Sequence, residues 1–280
     1  MNKYNKFVGL FNEFYDINDI KIDEKLSEYV NFKVGGPADI LLIPNSKEQV
    51  IKSIKICKEN NIPFYLIGNG SNILVRDGGF RGVVLSLKNV KNIYVDGEKI
   101  EAECGVMLKE VSDKAIENSL TGFEFACGIP GTIGGAVFMN AGAYDGEISK
   151  VIESAEVIDE NCNIIRLSRE ELDFGYRSSL VMKKGYTVLS AVFKLEKGQV
   201  KTIKELIEDL TNKRESKQPL EYPSAGSTFK RPTGYFAGKL IQDAGLKGYT
   251  VGGAQVSEKH SGFVINRGGA TAEEVAFLIK

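Results

Sequence analysis

The sequence predicts an α+β protein of two or three domains, and three observations carry that reading. Residues 38–67 run strand, helix, strand; residues 91–195 hold short apolar strands around one helix; and an amphipathic helix over 201–214 leads into a shorter mixed unit. At 280 residues the chain is long enough for more than one core, and 42% hydrophobic with 26% charged residues is an ordinary globular balance. The expected division is 1–90, 91–205 and 206–280.

The first unit opens with the strand ADILLI, then a helix with apolar positions at Val50, Ile51, Ile54 and Cys57, then FYLI after Pro63. Ser46 with Gln49 is a capping box for that helix. The second strand runs into Gly68-Asn69-Gly70-Ser71-Asn72, and GVVLSL at 82–87 reads as a further strand. In the second unit, strands are expected near 92–95 and 99–103, with a helix near 107–118 on Leu108, Val111, Ala115 and Ile116. The stretch 128–144 carries no charge and reads as a long glycine-rich loop, too rich in Gly for a membrane helix. Strands near 151–158, 163–167 and 187–195 suggest an antiparallel sheet, with a short helix opened by Ser168 and Glu171. Ile203, Leu206, Ile207 and Leu210 share one face of the 201–214 helix, which ends before Pro219. The third unit is expected to hold a helix near 236–244 stopped by Gly245, strands near 249–256 and 262–266, and a helix opened by Thr271 and Glu274. That helix reaches Lys280 without a C-cap signal, so the natural chain is expected to continue.

Composition narrows the function. A net charge of −1 supplies no global positive field, so nucleic acid is an unexpected partner. Cys57, Cys104, Cys127 and Cys162 show no C-x-x-C spacing, which fits a reducing compartment, and the cytoplasm is the expected location. The N-terminal stretch lacks a signal-peptide core and no long apolar run follows, so no membrane partner is expected. His260 is the only histidine, which removes multi-His metal sites and leaves no expected metal; it precedes an apolar strand and reads as structural. Hard chemistry here points to a cofactor.

Two uncharged glycine segments are the chemical candidates. GNGSN places mobile backbone and small polar side chains after a strand, which suits either a plain turn or a phosphate cradle. Pro130-Gly131-Thr132-Ile133-Gly134-Gly135, followed by Asn140 and Gly142, offers a second set of amides. Two such segments together favour a diphosphate clamp over either alone.

NFKVGGPAD (31–39), GNGSNILV (68–75), GIPGTIGGAVFMNAGAYDGEI (128–148), GYRSS (175–179) and SAGSTFKRP (224–232) occur in an order that resembles the UDP-N-acetylenolpyruvoylglucosamine reductases, in their compact variant. The resemblance implies a two-part FAD-binding module of the vanillyl-alcohol-oxidase type followed by a smaller α/β substrate domain. It implies FAD held by Gly35, Gly68, Asn69, Gly70, Ser71, Asn72, Pro130, Gly131, Thr132, Gly134, Gly135, Asn140 and Gly142, with NADPH as reductant and UDP-N-acetylglucosamine enolpyruvate as substrate, in cell-wall precursor synthesis. Flavin-tethering members of this fold use a His near the first glycine loop; none stands there, so the FAD is expected to be non-covalent. By the same resemblance Ser227 is the proton donor and Arg177 its electrostatic partner, and the family's C-terminal glutamate is expected beyond Lys280. A hydroxyl can protonate an enolate, and a guanidinium fork stabilises the developing charge. Tyr176, Lys217, Arg231 and Lys259 are candidates for holding the sugar nucleotide, although each also reads as an ordinary surface or packed residue. An oxidase of the same fold and a catalytically silent nucleotide-sugar binder are the competing readings.

Overall fold

A computed structural model describes residues 3–280, in which three main sheets carry the helices on their faces. The first sheet has the order Ile20–Lys25, Pro37–Leu42, Phe80–Ser86, Phe64–Ile67. Its first pair is antiparallel and the others are parallel. The strand Pro37–Leu42 is apolar along most of its length because both faces are covered. Ile40, Leu42, Val83 and Leu85 meet Val50, Ile54 and Cys57 of the helix Lys47–Glu59. Leu41, Val84 and Ile67 form a separate cluster. Ser46 caps that helix by accepting from Gln49 N–H, but Gln49 Oε1 reaches back one residue further than expected, to Asn45 N–H at 2.6 Å. The edge strand Ile20–Lys25 has no counterpart in the sequence reading, since its IKIDEK is largely solvent-facing and lacks the apolar signal of a buried strand.

The second sheet is antiparallel throughout, in the order Ile164–Ser168, Ile152–Ile158, Thr187–Lys194, Lys99–Glu103, Ile93–Asp96. Ile100, Val157 and Phe193 pack with Leu108, Val111 and Ala115 of the helix Leu108–Glu117. Two expectations change here. Within the stretch read as loop, Ile133–Met139 is a helix: its glycines fall in the first turn, and Ile133, Ala136 and Val137 are buried in the same core. Ser168 and Glu171 do exchange the two capping bonds, yet no helix follows. Asp173 at φ +42° turns the chain away, and the helix comes later, over Leu180–Lys184, capped by Ser179.

The helix Val200–Lys217 runs three residues past its expected end, and its buried stripe is narrower, Ile203 and Leu210, with Leu206 exposed. The third sheet follows, in the order Ser224–Ser227, Phe263–Asn266, Ala254–Val256, Thr250–Val251. The expected strand near 249–256 is a hairpin bent at Gly252 and Gly253, and the strand Ser224–Ser227 is an addition. Ala272 and Val275 of the closing helix Ala272–Ile279 pack on Ala254 and Val264, and Phe32 and Val34 from the first unit complete that core. Thr271 and Glu274 form the expected capping box of this helix.

Candidate active site

The strand Phe64–Ile67 delivers the chain into the first glycine loop, which is held from below by the segment 29–31. Gly70 sits at φ +60°, and a Cβ there would lie 2.4 Å from the Tyr29 carbonyl oxygen, so only glycine fits. Its own carbonyl accepts from Asn31 N–H at 3.0 Å. The loop also touches the second glycine segment. Asn69 Nδ2 donates to Pro130 O at 2.9 Å, Asn72 Nδ2 approaches Met139 Sδ at 3.5 Å, and a Cβ on Gly68 would stand 2.1 Å from Thr132 Oγ1. Gly35 supports the loop from beside it, against Val75.

In the second segment the glycines divide by role. Gly134 donates its N–H to Cys104 O at 2.9 Å, and a Cβ there would press on Cys104 at 3.1 Å, so this glycine serves close packing of the helix on the second sheet. Around Gly135 a Cβ would meet only Thr132 Oγ1, at 3.9 Å; around Gly131 its nearest contact would be Leu108 at 3.6 Å. Unlike Gly134, neither Gly131 nor Gly135 is required by close packing within the protein, and Gly135 is exposed. Asn140 is buried in the left-handed conformation that ends the helix. Its Nδ2 donates to Gly175 O at 3.1 Å and its Oδ1 accepts from Ser149 N–H at 3.0 Å, so its amide is committed to the protein. Gly142 lies in a tight pair with Gly146 and Glu147.

Arg177, itself at φ +52°, lays its guanidinium across the end of this segment, donating to Asn140 O at 3.2 Å and Gly142 O at 2.7 Å. The fork is thereby fixed in direction without being neutralised, because carbonyls carry no full charge. Tyr176 is exposed, and its hydroxyl accepts from Arg231 N–H at 3.3 Å, which joins the Arg177 segment to the third unit. The Arg231 guanidinium lies over the Phe236 ring at 3.9 Å.

Ser227 ends the strand Ser224–Ser227, whose pairing with Phe263–Asn266 slips between Ser224 and Ser227 where Gly226 takes φ +78°. Such a bulge re-aims the next side chain. Ser227 lines a cavity of about 200 Å³ together with Asn72, Ile73 and Leu74, at the end of the first glycine loop. Lys259 is held elsewhere, donating from Nζ to Glu215 O at 2.7 Å with the Glu221 carboxylate 3.8 Å away, and Lys217 is exposed on the last turn of the same long helix. His260 accepts from Gly262 N–H through Nδ1 at 3.1 Å and stacks edge-on with Phe263, a structural role. A larger hollow of 320 Å³, between Lys58 and Cys162, is lined by neither glycine segment nor Ser227.

The sequence profile of an FAD binding domain matches residues 38–168, and that of the UDP-N-acetylenolpyruvoylglucosamine reductase C-terminal domain matches 218–280. Curated UDP-N-acetylenolpyruvoylglucosamine reductases of Clostridium perfringens strain 13 and Clostridium beijerinckii are 63% and 62% identical to the chain, over 100% of it and 92% of their own length. The chain belongs to the UDP-N-acetylenolpyruvoylglucosamine reductase family. A solved reductase of this family from Thermus caldophilus is 33% identical, with a TM-score of 0.81 over 93% of each chain. An alkyldihydroxyacetonephosphate synthase, at 15% identity, shares the fold with a TM-score of 0.55 over 70% of this chain and 41% of its own. The expected α+β flavoprotein architecture is thus borne out.

Two residues that the sequence reading passed over pack against these elements. Arg214 packs its side chain on the second segment, where a Cβ on Gly128 would lie 2.7 Å from Arg214 Cδ, and burial there disfavours its charged form. It stands near the end of the long helix, beside Lys213, where no local pattern distinguishes it from its neighbours. Asp77 was hidden in an Asp-Gly pair that reads as a turn. Its carboxylate accepts from Ala272 N–H at 2.8 Å and Glu273 N–H at 3.0 Å, across the boundary between first and third units.

Proposed function

We propose that the protein reduces the enolpyruvyl double bond of UDP-N-acetylglucosamine enolpyruvate to the lactyl ether of UDP-N-acetylmuramate, with non-covalent FAD and NADPH, in cytoplasmic peptidoglycan precursor synthesis. The observation that carries this reading is the meeting of the two uncharged glycine segments beside a cavity that holds Ser227. Residues 1–90 and 91–205 form the two halves of the flavin module in this reading, and 206–280 the substrate domain. Gly131 and Gly135, which packing within the protein does not require to be glycine, together with Gly68 to Asn72 suit a dinucleotide, because amides without side-chain bulk can approach phosphate oxygens. Bound there, FAD supplies hydride transfer between NADPH and the substrate.

The chain's own residues do the remainder. Hydride addition at the β-carbon leaves electron density at the α-carbon and its carboxylate, and Ser227 Oγ delivers the proton to that α-carbon. The Asn140 and Gly142 carbonyls fix the direction of Arg177, and in this reading its positive charge stabilises the developing anion. Tyr176 and Arg231 join the third unit to the second beside the nucleotide sugar, and Lys217 and Lys259 lie where the end of the long helix meets the third unit. Stopped-flow measurement of flavin reduction by NADPH and of its reoxidation by the enolpyruvyl substrate, without oxygen, tests the reading. Reduction followed by substrate-dependent reoxidation supports it; reoxidation by oxygen alone contradicts it.

A further inference from the structure

The turn after the first glycine loop carries a side chain with a role of its own. Asp77 is anchored firmly to the first unit. Gly36 N–H and Gly79 N–H both donate to Arg76 O at 2.9 Å, and Gly36 lies so near that a Cβ on it would stand 1.9 Å from Asp77 O. From this base its two carboxylate oxygens take the first two amides of the helix Ala272–Ile279. Those amides have no acceptor within the helix, and a negative charge at that end is favourable. The helix already has its own cap: Thr271 Oγ1 accepts from Glu274 N–H at 3.1 Å, and Glu274 Oε2 accepts from Thr271 N–H at 3.0 Å. What Asp77 adds is attachment to another unit. Val275 and Ile279 of that same helix line the cavity that contains Ser227. A second tie runs in parallel, Asn266 Nδ2 donating to Phe32 O at 3.1 Å.

We propose that Asp77 is a positioning residue of the reaction, latching the C-terminal helix onto the flavin module and so setting the gap between Ser227 and the loop 68–74. The inference rests on the reading of Ser227 given above. The latch acts on the step that needs both walls of the cavity, reoxidation by substrate, and leaves flavin binding and reduction by NADPH to the first two units.

Four variants of the holoenzyme test it: Asp77→Ala, Asp77→Asn, Glu273→Pro and, as reference, Ser227→Ala. Glu273→Pro deletes one of the two donors from the other side of the latch, at a first-turn position that tolerates proline and without touching the flavin module. Each is measured for flavin content, for both half-reactions in the absence of oxygen, and for hydrogen exchange of residues 272–279 and 68–75 by mass spectrometry. In Asp77→Ala we expect normal flavin content and normal reduction, faster exchange confined to 272–279, and reoxidation slowed roughly 10- to 100-fold, the scale of a displacement of about an ångström. Asp77→Asn, which keeps acceptor oxygen but not charge, should recover part of that rate, and Glu273→Pro should slow it partly. The latch is overturned if exchange of 272–279 rises while reoxidation stays normal, or if Asp77→Ala and Asp77→Asn lose flavin, which would place Asp77 in support of the glycine loop. If Ser227→Ala reoxidises normally while the Asp77 variants are slow, the proton-donor reading fails and the latch stands; if only Ser227→Ala is slow, the reverse holds.

Discussion

At the level of single residues, the backbone dictates the directions of two side chains, Ser227 and Arg177. Ser227 faces the cavity because Gly226, at φ +78°, breaks the strand register just before it. Ser227→Ala should leave reduction by NADPH intact and slow substrate reoxidation by roughly 10²- to 10⁴-fold, the usual weight of a positioned acid. Equal slowing of both half-reactions would assign Ser227 to flavin placement instead. Arg177 spends two donors on the carbonyls of Asn140 and Gly142, so Arg177→Lys keeps the charge and loses its aim. Reoxidation should fall by about 10²-fold with flavin content unchanged, and a wild-type rate would remove Arg177 from the chemistry. Both residues were legible only through the short motifs that contain them; as lone side chains, a serine after glycine and an arginine before serine carry no distinguishing signal. Asp77 escaped notice for a physical reason. Its partners are backbone amides nearly two hundred residues away, and no local pattern announces them.

At the scale of elements, the two glycine segments make separable predictions. Gly70→Ala forces a side chain into a left-handed position against Tyr29 O, which should destabilise the protein by about 1–2 kcal/mol before any clash, and should lower flavin content. Gly135→Ala is the opposite case. A Cβ there would meet only Thr132 Oγ1 and the residue lies in the first turn of a helix, so the apoprotein should gain at most about 0.5 kcal/mol in thermal or denaturant unfolding while FAD binds more weakly. Unchanged FAD affinity in Gly135→Ala would show that the ligand does not approach there. The closing helix gives a pH prediction. Glu274 is held below the usual carboxylate range by the N–H groups of Thr271 and Gly253. A lowered native pKa means this contribution is present above the unfolded value of about 4.3 and is lost as pH falls through the native one. Amide protection of 272–279 should therefore decline in acid, and Glu274→Gln should flatten that dependence. The strand–helix–strand start and the closing capping box were readable because periodicity and caps are local. The helix Ile133–Met139 was not, since its stability comes from burying Ile133, Ala136 and Val137 in the second unit's core, against a glycine-rich sequence that argues for loop.

At the scale of the whole molecule, the cavity that holds Ser227 is lined by residues 72–74 and Phe32 of the first unit and by the strands and helix of the third. The parallel part of the first sheet, the antiparallel sheet and the short third unit were each foreshadowed by strand spacing, and the antiparallel edge strand Ile20–Lys25 was not. The mutual placement of the units was not either, because it depends on contacts such as Asn69 to Pro130, Tyr176 to Arg231 and Phe32 with Val264, none of which has a local signature. Among the described residues no helix is long and apolar enough to cross a membrane. In the proposed function these units together bind FAD without a covalent bond and pass reducing equivalents from NADPH to an enolpyruvyl sugar nucleotide. The most direct test is a single anaerobic titration of the purified protein followed by visible absorbance. The account predicts a yellow protein whose colour is released by denaturation, is bleached by NADPH, and returns on addition of UDP-N-acetylglucosamine enolpyruvate with one UDP-N-acetylmuramate formed per flavin reoxidised. A protein that takes up no FAD, or whose bleached flavin ignores the substrate and recovers its colour only when oxygen is admitted, would contradict it.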